Sequence, residues 1–252
     1  MNILGMEKMS LVDYDGFVSA TLFTGGCNFL CPFCHNSPLV TDFKTLPSIP
    51  EEEVINYLKK RKGLLDGVCV SGGEPTLQKD LPIFIEKIKS LGYSVKLDTN
   101  GTNPTLIKSL YENGLVDYYA MDIKSDRESY AKVIGFDKYD TKNIEKSVEF
   151  FLTGSAPYEF RTTLINEYHK TQNIENIGIW IKGANKYFLQ KFKDSGSCIK
   201  SGLSAVDNNT VLKFKDILTK TIPNTKLRGY DIVFPNNWNY KRIIIVIVLT
   251  MR

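Results

Sequence analysis

Two rhythms of hydrophobic positions alternate along this chain. Apolar, β-branched stretches read as strands at residues 17–23, 67–70, 94–97, 118–123, 158–164 and 186–189. Between them lie segments with apolar residues at helical spacing. PEEEVINYLKKRK, from Pro50, opens on proline and acidic residues and closes on a basic turn before Gly63, which suits the helix dipole at both ends. DLPIFIEKIKSLG offers Asp80 as an N-cap, an early Pro82 and a terminating Gly92. PTLIKSLYENG, from Pro104, repeats that design. Weaker helical patterns follow at 141–152, 171–182 and 208–220.

Six β–α units in succession demand parallel pairing, hence a closed or partly closed barrel or a doubly wound sheet. No second period and no Gly/Ser linker divides the chain, so residues 1–230 read as one domain. Residues 194–210 form the loosest segment and read as a surface loop. The stretch 231–252 reads as an extension of unassigned role. It holds IIIVIVL, Ile243 to Leu249, a run that suits an added edge strand or a partner-binding segment and would aggregate if left exposed.

Composition narrows the function classes. The chain has 252 residues, 32 basic and 28 acidic, with the charges intermixed and no basic stripe, which argues against nucleic acid. The longest apolar run is far short of the ~20 residues a membrane helix needs, and the acidic N-terminal stretch is unlike a signal peptide. Five cysteines, an odd number with three clustered, argue for a reduced, cytoplasmic setting and a metal or redox role.

Unusual residues recur where the strands end, the edge that gathers chemistry in parallel α/β folds. The first strand runs into TGGCNFLCPFCHN, with Cys27, Cys31 and Cys34. The second runs into SGGEPT, the third ends in DTNG with Asp98, the fourth in DIK with Asp122 and Lys124. The fifth carries Arg161 and the sixth Gln190. Each residue alone is weak evidence; their agreement on one rim marks the site. Three close thiols suit an iron–sulfur cluster with one iron left open. Spacing alone equally allows structural zinc with His35 or a distant fourth ligand.

The run CNFLCPFC, followed by GGEP, resembles the radical S-adenosylmethionine superfamily. SLVDYDG, FTGGCNFLCPFCHN, KKRKGLLDGVCVSGGEPTLQ, KLDTNG, GLVDYYAMDIK, YEFRTTL and KYFLQKF resemble the activases of glycyl radical enzymes within it, in particular those of anaerobic ribonucleoside-triphosphate reductase. LRGY, Leu227 to Tyr230, resembles the usual end of such chains. The resemblance implies a partial parallel (β/α)6 barrel and a 4Fe–4S cluster on Cys27, Cys31 and Cys34. It also implies S-adenosylmethionine as cosubstrate, a glycyl radical enzyme as partner, and a low-potential electron donor such as flavodoxin or ferredoxin. Gly72 and Gly73 would let backbone approach the methionine moiety, with Glu74 near its ammonium or orienting the turn. Asp98 and Asp122 would hold a ribose hydroxyl or a monovalent cation, Lys124 and Arg161 a carboxylate or the ribose region. Phe33 and His35 would contact adenine, and Gln190 completes the set.

Two other functions fit the same residues: a radical enzyme acting on a small molecule, and a non-enzymatic zinc or iron–sulfur protein. Blander roles fit single residues. Asp98 and Asn100 suit caps for the helix near Thr105, Cys69 a packed thiol, Cys198 a stray surface cysteine or part of a redox contact, and His169 an ordinary loop histidine.

Overall fold

The alternation within each strand becomes two chemically different faces of one curved sheet. The computed structural model describes residues 1–194 and 196–231. Its eight strands are β1 (Ile3–Ser10), β2 (Ser19–Thr24), β3 (Gly67–Gly72), β4 (Ser94–Thr99), β5 (Tyr118–Asp122), β6 (Tyr158–Leu164), β7 (Tyr187–Lys191) and β8 (Thr225–Arg228). They pair in chain order, β1 antiparallel to β2 and every later pair parallel. With β1 and β8 at the two ends, the sheet is an open, partial barrel. All six expected strands are present. The two additional ones flank them: β1 mixes Gly, Glu and Lys into a half-exposed edge, and β8 is only four residues long, so neither has an apolar run to announce it.

Helices cover the outer face: α1 (Pro38–Thr41), α2 (Glu51–Lys60), α3 (Leu81–Ser90), α4 (Pro104–Glu112), α5 (Tyr130–Val133), α6 (Lys142–Leu152), α7 (Thr171–Trp180) and α8 (Asn208–Thr219). Val70, Leu97, Met121, Phe160 and Leu189 belong to the apolar core, together with Phe84, Ile107, Phe151 and Ile177 of the helices. The adjacent residues Ser71, Asp98, Asp122, Arg161 and Gln190 line a cavity instead. Successive side chains on a strand point to opposite faces. One face of each strand therefore seals against helices while the other leaves polar groups inside the barrel.

Three local expectations change. Asp80 makes no side-chain cap to α3; its carboxylate instead joins Glu51 in holding the ammonium of Met1. The cap of α4 is Asn103, whose side chain accepts from the Leu106 amide at 3.2 Å, not Asp98 or Asn100. Residues 196–207 are not loose: the Lys200 amide donates to the Pro32 carbonyl at 2.9 Å, and Leu203 and Val206 are buried. The Ile243 to Leu249 run lies outside the described residues. Among the described residues, no helix is long and apolar enough to cross a membrane.

Candidate active site

The cysteine loop is stitched at its base to the end of β3. The Gly73 amide donates to the Thr24 carbonyl and the Glu74 amide to the Gly26 carbonyl, each at 2.8 Å, while the Gly26 amide donates to Leu39 at 2.7 Å. This stitch explains the double glycine. A Cβ on Gly73 would lie 2.0 Å from the Gly26 carbonyl oxygen, and one on Gly72, whose φ is +115°, would lie 2.3 Å from the Thr24 nitrogen. The expected close approach to a ligand is thus first a close approach of two backbone segments, one leading directly into Cys27.

The three thiols then face a cavity of ≈ 220 Å³ at the strand ends. Burial pushes the Cys27 thiol up to about 11 and that of Cys31 up to about 12, against the pull of the nearby Lys124 ammonium; burial also raises Cys34. Metal binding must displace those protons. Among the described residues no three His, Cys, Asp or Glu side chains gather tightly enough around one point for a single ion. Three thiols bordering one cavity are the donor set that an iron–sulfur cluster takes.

Glu74 is 1 % exposed and wholly engaged. One oxygen accepts from the Thr76 amide (3.1 Å), the Thr76 hydroxyl (2.5 Å) and the Thr99 hydroxyl (2.8 Å); the other accepts from the Asn100 amide (2.7 Å). Burial raises its carboxyl and these four donors pull the other way. Of the two roles the sequence allows it, the geometry is that of a clamp orienting the turn between β3 and β4. Asn100, beyond that clamp, bonds Asn28 at 2.8 Å and stands 4.0 Å from the Cys27 sulfur.

A ladder of alternating charge crosses the cavity floor. Lys96 pairs with Asp98 (3.0 Å), Asp98 with Arg161 (3.2 Å), Arg161 with Asp122 (2.9 Å), and Asp122 with Lys124 (2.8 Å). Burial alone would raise the Asp98 carboxyl, but Arg161 and Lys96 overcome it and hold it at about 2. Burial likewise opposes the Lys124 charge, and Asp122 outweighs it. Three cations thus stand against the two carboxylates, which the sequence expected to hold a ribose hydroxyl or a monovalent cation.

Around the walls, His35 stacks on Phe192 with ring centres 5.4 Å apart, and Phe33 lies against Tyr168. Among the described residues, two buried acceptors, Asp98 Oδ1 and Gln190 Oε1, lack a hydrogen-bond donor; the Lys96 contact to Asp98 is an ion pair without hydrogen-bond alignment. Acceptors left open on a polar cavity fit a ligand that brings amino and hydroxyl donors, as an adenosyl group does.

All thirteen expected site residues border this one cavity: Cys27, Cys31, Phe33, Cys34, His35, Gly72, Gly73, Glu74, Asp98, Asp122, Lys124, Arg161 and Gln190. Ser71, Thr99 and Thr163 join them without having been singled out, and Asn100, expected only as a cap, joins them too. Lys96, just beneath, had a readable signal: it sits two residues before Asp98, hence on the same strand face. His169 is a correction. It is buried, accepting from the Ile165 amide at Nδ1 (2.9 Å), with Nε2 2.9 Å from the Lys124 carbonyl, so it supports the segment carrying Lys124. Cys69 is packed in β3 as expected. Cys198 is not stray: Ser37 bonds the Ser197 carbonyl and Ser197 the His35 carbonyl, which lays its loop along the cysteine loop.

The sequence pattern of the Radical SAM superfamily matches residues 21–168. The chain belongs to that superfamily and is an enzyme of its glycyl-radical-activase group, which works with a 4Fe–4S cluster and S-adenosylmethionine. A protein of Methanocaldococcus jannaschii, provisionally named a glycyl-radical enzyme activating enzyme, is 33% identical over 238 residues, 92% of this chain and 98% of its own length. Among solved structures, Streptococcus suis SuiB superposes with a TM-score of 0.65 at 14% identity; the match covers 82% of this chain and 48% of SuiB, so this chain spans about half that protein's length. A domain of pyruvate-formate lyase-activating enzyme from Bacteroides vulgatus gives 0.53 at 19% identity, covering 65% of this chain and 99% of the domain. These two likenesses concern the fold.

Proposed function

We propose that this chain installs a glycyl radical on anaerobic ribonucleoside-triphosphate reductase in the cytoplasm, with electrons from a flavodoxin- or ferredoxin-like donor. One observation carries the reading of the site: the cysteine loop, the Gly-Gly-Glu turn and the charged ladder converge on a single cavity from six strands. End-to-end similarity to a relative named for activating a glycyl radical enzyme supports the target class.

Cys27, Cys31 and Cys34 would hold the cluster. A reduced cluster held there would supply the one electron for cleaving S-adenosylmethionine to methionine and a 5′-deoxyadenosyl radical, which would take a hydrogen atom from the partner's glycine and leave as 5′-deoxyadenosine. The chain's own residues bind and orient. Arg161 and Lys124 would take the methionine carboxylate, Asp98 Oδ1 and Gln190 Oε1 the donors of the adenosyl group, and Phe33 and His35 the adenine face. Gly72, Gly73 and Glu74 hold the turn against the cysteine loop, so that cluster and cosubstrate share one frame. His35 is exposed at the mouth, where a loop of another protein would enter and complete the exclusion of water.

The test mixes reduced protein, S-adenosylmethionine and the anaerobic reductase of the same genome and records electron paramagnetic resonance. A glycyl doublet on the reductase is expected. Its absence, with a doublet on another glycyl radical enzyme, would move the target; its absence on all of them would overturn the activase reading.

A further inference from the structure

The ladder sets three cations against two carboxylates, and the third cation does not border the cavity. Lys96, on β4 below the rim, has a side chain 5 % exposed. Its ammonium lies 3.0 Å from Asp98 Oδ1 and donates to the Asp13 carbonyl at 2.5 Å. Asp13 is itself fixed, accepting from the Thr21 hydroxyl of β2 at 2.6 Å. An ammonium is costly to bury unless paired, so its influence passes upward through Asp98.

Arg161 is the shared member of the ladder, with Nε on Asp122 and Nη1 beside Asp98. Asp98 Oδ2 also accepts from the Ser71 hydroxyl at 3.0 Å. Without Lys96 the count would be two carboxylates against Arg161 and Lys124, every charge answered in a buried setting where coulombic interactions are strong. Glu159, the other buried carboxylate acting on Arg161, is answered by Arg228 at 3.0 Å, so with Lys96 drawing on Asp98 from below one positive charge is left over. Arg161 and Lys124 are the cations that face the cavity, so the surplus is expressed there.

We infer that Lys96 is a positioning residue that offsets the charge of Asp98 and so leaves net positive charge at Arg161 to bind the amino-acid carboxylate of the cosubstrate. This rests on reading the cavity as the S-adenosylmethionine site. Lys96 touches no ligand; it sets the charge of the group that does. A purely structural lysine, plugging the barrel beneath the site, would affect all ligands alike, whereas a charge-setting one affects only those bearing the carboxylate.

The experiment titrates S-adenosylhomocysteine and its decarboxylated analogue into the cluster-loaded protein by calorimetry and compares the two affinities. Wild type should prefer the carboxylated ligand. Lys96→Gln keeps polar contacts and removes the charge; its preference should fall by about tenfold, the worth of a charge-assisted bond, with affinity for the decarboxylated analogue nearly unchanged. Lys96→Met combined with Asp98→Asn removes both charges together; it should weaken both ligands through the lost Asp98 acceptor but return the ratio between them to the wild-type value. An unaltered preference in Lys96→Gln, or equal weakening of both ligands, would overturn the inference. Should Lys96→Gln fail to fold, the double variant decides, since loss of preference there would refute it. Wild type indifferent to the carboxylate would instead bring down the reading of the cavity itself.

Discussion

At the scale of residues, small groups are fixed here by close backbone contact. Gly73→Val puts a branched side chain where a Cβ alone would be 2.0 Å from the Gly26 oxygen. The bonds joining Thr24 and Gly26 to β3 must then open, one residue before Cys27. We expect a loss of about 2–4 kcal/mol, as for strained or overpacked sites, and loss of iron along with cosubstrate affinity. Iron analysis beside a urea titration checks this; full iron content with weakened binding would restore the simpler view that the glycine serves ligand approach only.

His169 gives a pH dependence. Burial holds its imidazole below the ordinary histidine value, and the neutral ring accepts from the Ile165 amide while its other nitrogen meets the Lys124 carbonyl. The unfolded chain therefore binds the proton more readily, and stability rises with pH. The contribution is fully present above the unfolded value of about 6.5 and drains away as pH falls through the lower folded value. Urea midpoints from neutral pH downward should decline in wild type. They should be flatter in His169→Gln, which costs about 1–3 kcal/mol at neutral pH through unpaired backbone groups. Equal slopes in the two proteins would contradict this account.

At the scale of elements, each strand end is paired with the start of the segment after it. The end of β4 illustrates this: its Thr99 and the Asn100 amide close on Glu74, while Asn103 caps α4 and its amide nitrogen also reaches the Thr76 carbonyl at 3.3 Å. Asn103→Ala should cost about 1 kcal/mol, the usual worth of an N-cap, without changing cluster content. Asn100→Ala should do the reverse, disturbing the Asn28 and Cys27 side of the loop and sparing α4. Comparing thermal midpoints with iron content in the two variants separates these roles.

At the scale of the molecule, the open sheet brings six strand ends to one cavity, and only three of the five cysteines border it. Substituting Cys27, Cys31 or Cys34 by Ala should abolish the cluster in anaerobically reconstituted protein. Cys69→Ala and Cys198→Ala should retain about four irons, as a 4Fe–4S cluster requires. Loss of the cluster in Cys198→Ala as complete as in Cys31→Ala would show that the neighbouring loop supplies a ligand, contrary to the three-thiol site.

The sequence by itself determined the alternation of strands and helices, the parallel sheet, and the rim on which the chemistry stands. Hydrophobic periodicity and strand-end residues are local signals, and the cysteine spacing lies within one loop. Only the tertiary structure decided what the residues do to one another. Glu74 is legible in GGEP, but that it clamps Thr99 and Asn100 depends on β3 and β4 lying side by side. Gly73 is legible as a glycine, while the obstacle that requires it is a carbonyl 47 positions earlier in the chain, on Gly26. His169 looks ordinary in sequence because its partners, the Ile165 amide and the Lys124 carbonyl, are backbone groups that every residue carries. Which backbone group meets which side chain is fixed by the packing of the barrel, and no local pattern encodes it.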